Sequence, residues 1–171
     1  MLTIRAETPD DMAGIHAVVA LAFGRDNEAR LIAALRASPD FVPTLSLVAV
    51  EEGAIVGHIL FSPIAIRTPQ RAVPALALAP LAVRPDRQNG GVGSALVRHG
   101  VAACRQQGHA IVVVLGHAQY YPRFGFTTAR SKGVEPPWPV NDAAFMVQEL
   151  IAGALNGVCG VVEYPPAFAA V

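Results

Sequence analysis

Residues 75–115 constrain the fold more than any other stretch of this chain. Residues 75–83 are apolar at nearly every position, as in a strand buried on both faces of a sheet. A polar loop follows at 84–90. From about 91 to 107 the apolar residues Val92, Ala95, Leu96 and Ala103 recur at helical spacing, with Arg98 and Arg105 on the opposite side. Gly108 is placed to end that helix, and 110–115 is a second continuous apolar run. Strand, loop, helix and strand in that order form a βαβ unit, which brings its two strands together in parallel. Pro80 is out of character inside the first strand, because proline has no N–H to give to a ladder and marks a bulge or an edge.

The loop itself, Arg84-Pro-Asp-Arg-Gln88-Asn89-Gly90-Gly91-Val92-Gly93-Ser94, runs from a buried strand straight into the helix. A turn of this kind aims backbone N–H groups outward at the positive end of the helix, where anions bind. Glycine lets a phosphate come close because no Cβ intervenes. The same glycines also serve a plain strand-to-helix turn that needs tight packing. A P-loop requires a lysine after its last glycine, and none is present. A dinucleotide fingerprint requires a third glycine after Gly91-Val-Gly93, and a ribose-binding acid on the following strand; both are missing. What remains is Gln88, Gly91 and Gly93 in the spacing Q-x-x-G-x-G.

The rest of the chain supports one domain, residues 1–171, without repeats or low-complexity linkers. Residues 2–7 alternate as a strand. Thr8-Pro9-Asp10-Asp11 reads as a helix start, and the helix carries Ile15, Val18, Val19 and Ala22 on one stripe up to Gly24. A second helix spans 26–37 with Leu31, Ile32 and Leu35 inward. Strands follow at 45–50 and 55–66, joined by Glu51-Glu52-Gly53. Residues 68–74 read as a loop, and two further apolar segments at 143–150 and 158–164 read as strands. Thirteen basic and 13 acidic residues give zero net charge, and the sole lysine is Lys132. That balance speaks against nucleic acid, whose binding rests on cations neutralising phosphates. Mean hydropathy is high at +0.41, yet the longest uncharged stretches, 53–66 and 72–83, fall short of the ~18 apolar residues of a bilayer span. Arg5 and Glu7 stand where a signal peptide has its apolar segment. A cytoplasmic protein without membrane attachment is the expectation. Cys104 and Cys159 are too few for a zinc cluster, so no metal is expected, and Cys104 reads as a core residue.

The glycine loop resembles the pyrophosphate loop of the Gcn5-related N-acetyltransferase (GNAT) family. About 30 residues on, Tyr121-Pro-Arg-Phe-Gly125-Phe126 is similar to that family's Y-x-x-x-G-F segment. The order of elements matches from Leu2 to about Phe126. Together with the tail around 145–164, these motifs look most like the YhbS-type predicted N-acetyltransferases. The resemblance implies the acyl-CoA N-acyltransferase fold: α+β with α/β/α layers, and a mixed sheet of about six to seven strands flanked by helices. It also implies an enzyme that moves an acetyl or short acyl group from coenzyme A to a primary amine by direct attack on the thioester.

It implies further that Gln88, Asn89, Gly90, Gly91, Val92, Gly93 and Ser94 hold the pyrophosphate of acetyl-CoA. Leu81, Ala82 and Val83 pair with the pantetheine arm, and Pro80 suits the local break in the ladder that this requires. An N–H near Ala82 or Val83 is the candidate oxyanion donor. Tyr121 is the candidate general acid, since a phenol with an ordinary pKa of about 10 carries its proton at neutral pH. Packing against the sheet is the other reading of Tyr121, and Tyr120 competes for its role. For the base, Glu28 at the start of the second helix and His58 in an apolar strand are the candidates. Each has a plain alternative: a solvated acid at a helix N-terminus for Glu28, a hydrogen-bonded core residue for His58. Many family members carry an asparagine where Val114-Leu115-Gly116-His117 stands here. His16, His99 and His109 read as surface or helix-packing residues.

Two other functions compete. One is a catalytically silent acyl-CoA sensor, against which Tyr121 counts. The other is a GNAT-type toxin acting on aminoacyl-tRNA, which needs a basic groove; only Arg84, Arg87, Arg123 and Arg130 offer one. The acceptor is a small-molecule or peptide amine. Glu28, Glu135, Asp142 and Glu149 are the acids available to it, and Phe23, Phe41, Phe61, Trp138 and Phe145 either line an apolar pocket or fill the core. Monomer and homodimer are equally compatible with the sequence.

Overall fold

The structure is a computed structural model that describes residues 1–171, the side chain of Ala170 excepted. Three α-helices and nine strands occur among the described residues: β1 (Leu2–Ala6), α1 (Met12–Phe23), α2 (Asn27–Arg36), β2 (Ser46–Glu51), β3 (Ala54–Arg67), β4 (Ala72–Val83), α3 (Val92–Gln106), β5 (Ile111–Leu115), β6 (Thr127–Thr128), β7 (Val134–Glu135), β8 (Phe145–Glu149) and β9 (Gly160–Glu163). The strands hydrogen-bond into a mixed sheet. Two of the nine, β6 and β7, are two residues long and carry no periodicity that a sequence reading can detect. They account for the excess over the six to seven strands expected. The chain divides into two compact units, 1–62 with 79–103 and 166–171, and 63–78 with 104–165.

In the first unit β1, β2 and β3 form an antiparallel meander and β4 lies beside β3. The β2–β3 turn puts Glu52 and Gly53 at φ 51° and 77°, the positive pair that a two-residue hairpin favours. Pairing then slips. Ala49 faces Gly57 while Val50 faces Ile55, so Val56 is a bulge. The bulge turns Ile55 toward α1, where Gly14 packs on its side chain, and leaves Gly57 toward α3, against Val92 and Leu96. Helices therefore cover both faces of this part of the sheet. Ile15, Val18, Val19, Leu31, Ile32 and Leu35 close one side; Leu96 and Val97 close the other, with Gly100 seated on the ring of Phe61. Apolar burial of this kind stabilises by roughly 25 cal/mol per Å². Asp11 fastens the start of α1 by accepting from the Thr8 N–H (2.7 Å) and from Arg5 (2.7 and 3.0 Å). Gly24 ends the helix in the left-handed conformation.

In the second unit β4 pairs in parallel with β5, β5 antiparallel with β8, and β8 with β6. β9 joins the end of β3 and pairs in parallel with β7. Phe126, Ile111, Val113, Phe145 and Met146 are its core. The expected loop at 68–74 is shorter than read. Thr68 and Arg71 close a tight turn (Thr68 N–H to Arg71 O, 2.9 Å), and β4 begins at Ala72. The β4–β5 ladder is also short, pairing only Leu76 with Val112 and Ala77 with Val113. It has stopped three residues before Pro80, so the proline is not what ends it.

Candidate functional site

The glycine turn lies wholly in the first unit. β4 ends at Val83, a single 3-10 turn spans Pro85–Arg87, and α3 starts at Val92. Gln88, Asn89, Gly90 and Gly91 are exposed. Asn89 (φ 64°) and Gly91 (φ 91°) take left-handed backbone, and a Cβ at Gly91 would meet nothing within 4 Å. Open space over a positive-φ glycine is what a phosphate needs to reach the backbone. The helical bonds of α3 begin with the Ala95 N–H to Gly91 O (3.0 Å). The amides ahead of that bond form the positive end of the helix.

Three contacts fix the turn. The Arg84 N–H donates to the bulged Val56 carbonyl (2.8 Å), tying the loop to β3. The Gln88 amide donates to Val83 O (3.0 Å), folding the loop back on its own strand. Gly57 allows the first turn of α3 to rest directly on β3: a Cβ there would lie 2.8 Å from Leu96 Cδ1, 3.1 Å from Val92 Cγ1 and 3.2 Å from Ala82 O. Because Arg84 donates to β3, alternation turns the backbone groups of Val83 to the opposite edge of β4, and those of Ala82 toward β3. The backbone groups of Leu81 and Val83 thus share the edge of β4 turned away from β3, and those of Ala82 face β3.

Tyr121 belongs to the second unit. β5 ends at Leu115, and the chain reverses so that His117 O accepts from the N–H groups of Tyr120 (3.0 Å) and Tyr121 (3.4 Å). A 3-10 turn, Tyr121–Phe124, carries Pro122 near its start and is closed by Gly125 at φ 99°. The Tyr121 ring is 6% exposed and meets Tyr120 and Phe126 edge-on, at 5.2 and 5.7 Å between centroids. Burial, then the neighbouring Tyr120, pushes its phenol above the ordinary value. The group stays protonated throughout the neutral range. Tyr120 is half-buried under the Arg123 guanidinium, 4.9 Å from its ring centroid.

The two candidate bases are not placed as bases. His58 is fully buried in β3; its Nε2 is 2.9 Å from Ser46 Oγ and its Nδ1 has no hydrogen-bond partner. Desolvation, with a smaller repulsion from Arg36, lowers its pKa to about 3. It is the core histidine, enclosed and neutral. Glu28 is 7% exposed rather than solvated, and its carboxylate is gripped by Arg25, whose Nε lies 2.9 Å away. That hydrogen bond holds the Glu28 pKa below the usual carboxylate range.

The remaining acids are engaged within the fold. Glu135 and Asp142 both pair with Arg130, and Glu149 accepts from the Leu155 N–H (2.7 Å). The arginines are likewise taken: Arg84 by Asp86 (2.6 Å) and Arg87 by Glu51 (2.6 Å). Phe61 and Phe145 are core, whereas Phe23 and Trp138 are partly exposed, Trp138 stacking on Tyr164. Cys104 is buried, its thiol pushed up to about 12 by desolvation. Among the described residues no group of three or more His, Cys, Asp or Glu side chains is placed to hold a metal ion, and no helix is long and apolar enough to cross a membrane. Sequence reasoning missed Gly57 and Gly116. The signal available was a glycine inside or at the end of an apolar strand, which marks a close approach.

Residues 3–129 match the acetyltransferase (GNAT) domain family. Over 164 residues the chain is 38% identical to the uncharacterized N-acetyltransferase YhbS of Escherichia coli K12, covering 95% of this chain and 96% of that protein. It is 41% identical over 154 residues to the uncharacterized N-acetyltransferase YjhQ of the same strain, covering 88% and 85%. Among solved structures, the E. coli YhbS N-acetyltransferase in complex with CoA aligns with a TM-score of 0.91 at 36% identity, covering 98% of this chain and 92% of that one. A GNAT family acetyltransferase from Brucella melitensis in complex with acetyl-CoA aligns at 0.80 and 33% identity, covering 98% of each chain.

Proposed function

Because the chain belongs to the GNAT acetyltransferase family, we propose that it transfers an acetyl or short acyl group from coenzyme A to a primary amine by direct attack on the thioester. The observation that carries this reading is the exposed glycine turn at the N-terminus of α3, held on β3 and β4 by Arg84, Gln88 and Gly57. In this assignment the amides of residues 88–94 take the pyrophosphate, and the edge of β4 turned away from β3, at Leu81 and the Val83 N–H, takes the pantetheine arm. The Val83 N–H, or that of Leu81 one pleat earlier, faces the thioester oxygen and stabilises the charge that develops on it. The complexes of the two relatives with CoA and acetyl-CoA support the same ligand here.

The reaction forms one C–N bond and breaks one C–S bond. The amine nitrogen attacks the thioester carbon, the electron pair of the C–S bond leaves on sulfur, and Tyr121 donates its phenolic proton or a hydrogen bond to that thiolate. Burial keeps the phenol protonated across the neutral range, so it has a proton to give or to share. Neither Glu28 nor His58 has the basicity to deprotonate an ammonium. The acceptor therefore reacts from its neutral fraction and gives its proton to water. With an amine of ordinary pKa near ~10, the rate rises about tenfold per pH unit below that value.

The paired states of Arg84, Arg87 and Arg130 argue against a basic tRNA groove. A cytoplasmic setting fits the same reading. Calorimetric titration with acetyl-CoA, followed by an amine screen for free thiol release, tests the proposal. Absence of binding returns the glycine turn to a packing role. Binding without turnover of any amine, and no change on Tyr121→Phe, makes the protein a sensor.

A further inference from the structure

Gly116 directly follows β5, and its N–H donates to Ala144 O (2.9 Å), so its backbone is anchored to the turn that leads into β8. Its φ is not positive, so the backbone there would accept an L-residue. The reason for glycine is space. A Cβ at this position would lie 2.5 Å from Tyr121 Cε2, 3.2 Å from Cδ2 and 3.5 Å from Cζ. The ring cannot step aside freely, because Tyr120 and Phe126 abut it edge-on, and the Tyr121 backbone is fastened to His117 O. The reversal at 116–121 thus folds the Tyr121 ring down onto the bare Cα of the strand end.

We infer that Gly116 is a positioning residue for the acyl-transfer step, the missing side chain being the cradle that sets where the Tyr121 hydroxyl stands. The inference rests on the assignment of Tyr121 as the acid. Carbon atoms in ordinary contact are about 3.5–4 Å apart, so an alanine here displaces the ring by about 1 Å. A misplacement of that size costs up to about 100-fold in rate. The change acts on the Tyr121 ring and not on the glycine turn, so the affinity for acetyl-CoA is expected to stay near the wild-type value.

The experiment is a double-mutant cycle of Gly116→Ala and Tyr121→Phe. The probe reaction is thiol release from acetyl-CoA with glycinamide, or with water alone where glycinamide is not accepted. Calorimetric Kd values for acetyl-CoA and a crystal structure of Gly116→Ala accompany it. The expected result is a ~100-fold loss of kcat in Gly116→Ala, an acetyl-CoA Kd within about twofold of the wild type, and a ring displaced by about 1 Å. In the Tyr121→Phe background the alanine is expected to add less than about twofold, because there is no hydroxyl left to misplace. An unmoved ring, an unaffected kcat, or losses that multiply in the double variant overturns the inference and leaves the acid assignment standing. Wild-type rates in Tyr121→Phe alone overturn the acid assignment, and this inference with it.

Discussion

Replacing Gly57 by alanine tests how the glycine turn is held. Its Cβ would press on Leu96, Val92 and the Ala82 carbonyl at 2.8–3.2 Å, and one of these three is backbone. Overpacking of this kind costs about 1–3 kcal/mol. Gly57 is not at positive φ, so the alanine also restrains the unfolded chain, a gain of about 0.4–1 kcal/mol. The packing cost wins, for a net loss of about 1–2 kcal/mol. In a domain of this size that lowers Tm by about 2–8 °C. Relief requires α3 to lift away from β3 at its first turn, so affinity for acetyl-CoA should fall as well.

Gly14→Ala is the matched control. Its Cβ would meet only the flexible end of Ile55, at 2.9 Å from Cδ1, and alanine in a helix is worth about 1 kcal/mol over glycine. Urea melts and calorimetric titrations of the two variants should therefore diverge: Gly14→Ala neutral or stabilised with normal binding, Gly57→Ala destabilised with weakened binding. Equal stability and equal Kd in the two would refute the claim that close approach at Gly57 seats the turn.

Further expectations follow from the same geometry. Tyr121→Phe should lower kcat by about 100-fold or more while leaving the acetyl-CoA Kd near the wild-type value; a loss confined to Kd would remove its chemical role. Gly91→Val places a β-branched residue at φ 91° and should cost about 1–3 kcal/mol in stability and most of the coenzyme affinity, read by melting and titration. His58 has a folded pKa depressed to about 3 from 6.5, so its stabilising effect is full above pH 6.5. It is lost as pH falls toward 3, because the unfolded chain takes up the proton first. Between pH 6.5 and 5 the wild type should lose up to about 2 kcal/mol, at 1.36 per pH unit, that His58→Gln does not lose; parallel curves for the two proteins would contradict the buried neutral state.

Helices and long strands were legible from local pattern. The stripe Ile15, Val18, Val19 and the apolar run at 110–115 appear where the period places them, and Gly24 and Gly108 stop their helices with positive φ. β6 and β7 were not legible, since a two-residue strand is made by its partner and not by its own residues. The short 68–71 turn was read too long because Pro74 was taken as a breaker, although β4 carries it at an exposed position. For Glu28 and His58 the chemistry of the side chain was visible and its surroundings were not. The grip of Arg25 on Glu28 is a local contact three residues apart that the side-chain types alone did not announce, whereas the sealing of the imidazole against Ser46 depends on a residue from another strand.

The sequence by itself determined the βαβ unit, the glycine turn and the tyrosine turn, because each is a local pattern of period, charge and glycine spacing. Only the tertiary structure decided that Val56 bulges to receive Arg84, that Val83 and not Ala82 turns its backbone away from β3, and that Gly57 and Gly116 are empty so that other groups can stand close. Those are matters of register and of contact between distant segments. A bulge or a missing Cβ acquires its meaning from the atom that occupies the space, and that atom lies elsewhere in the chain.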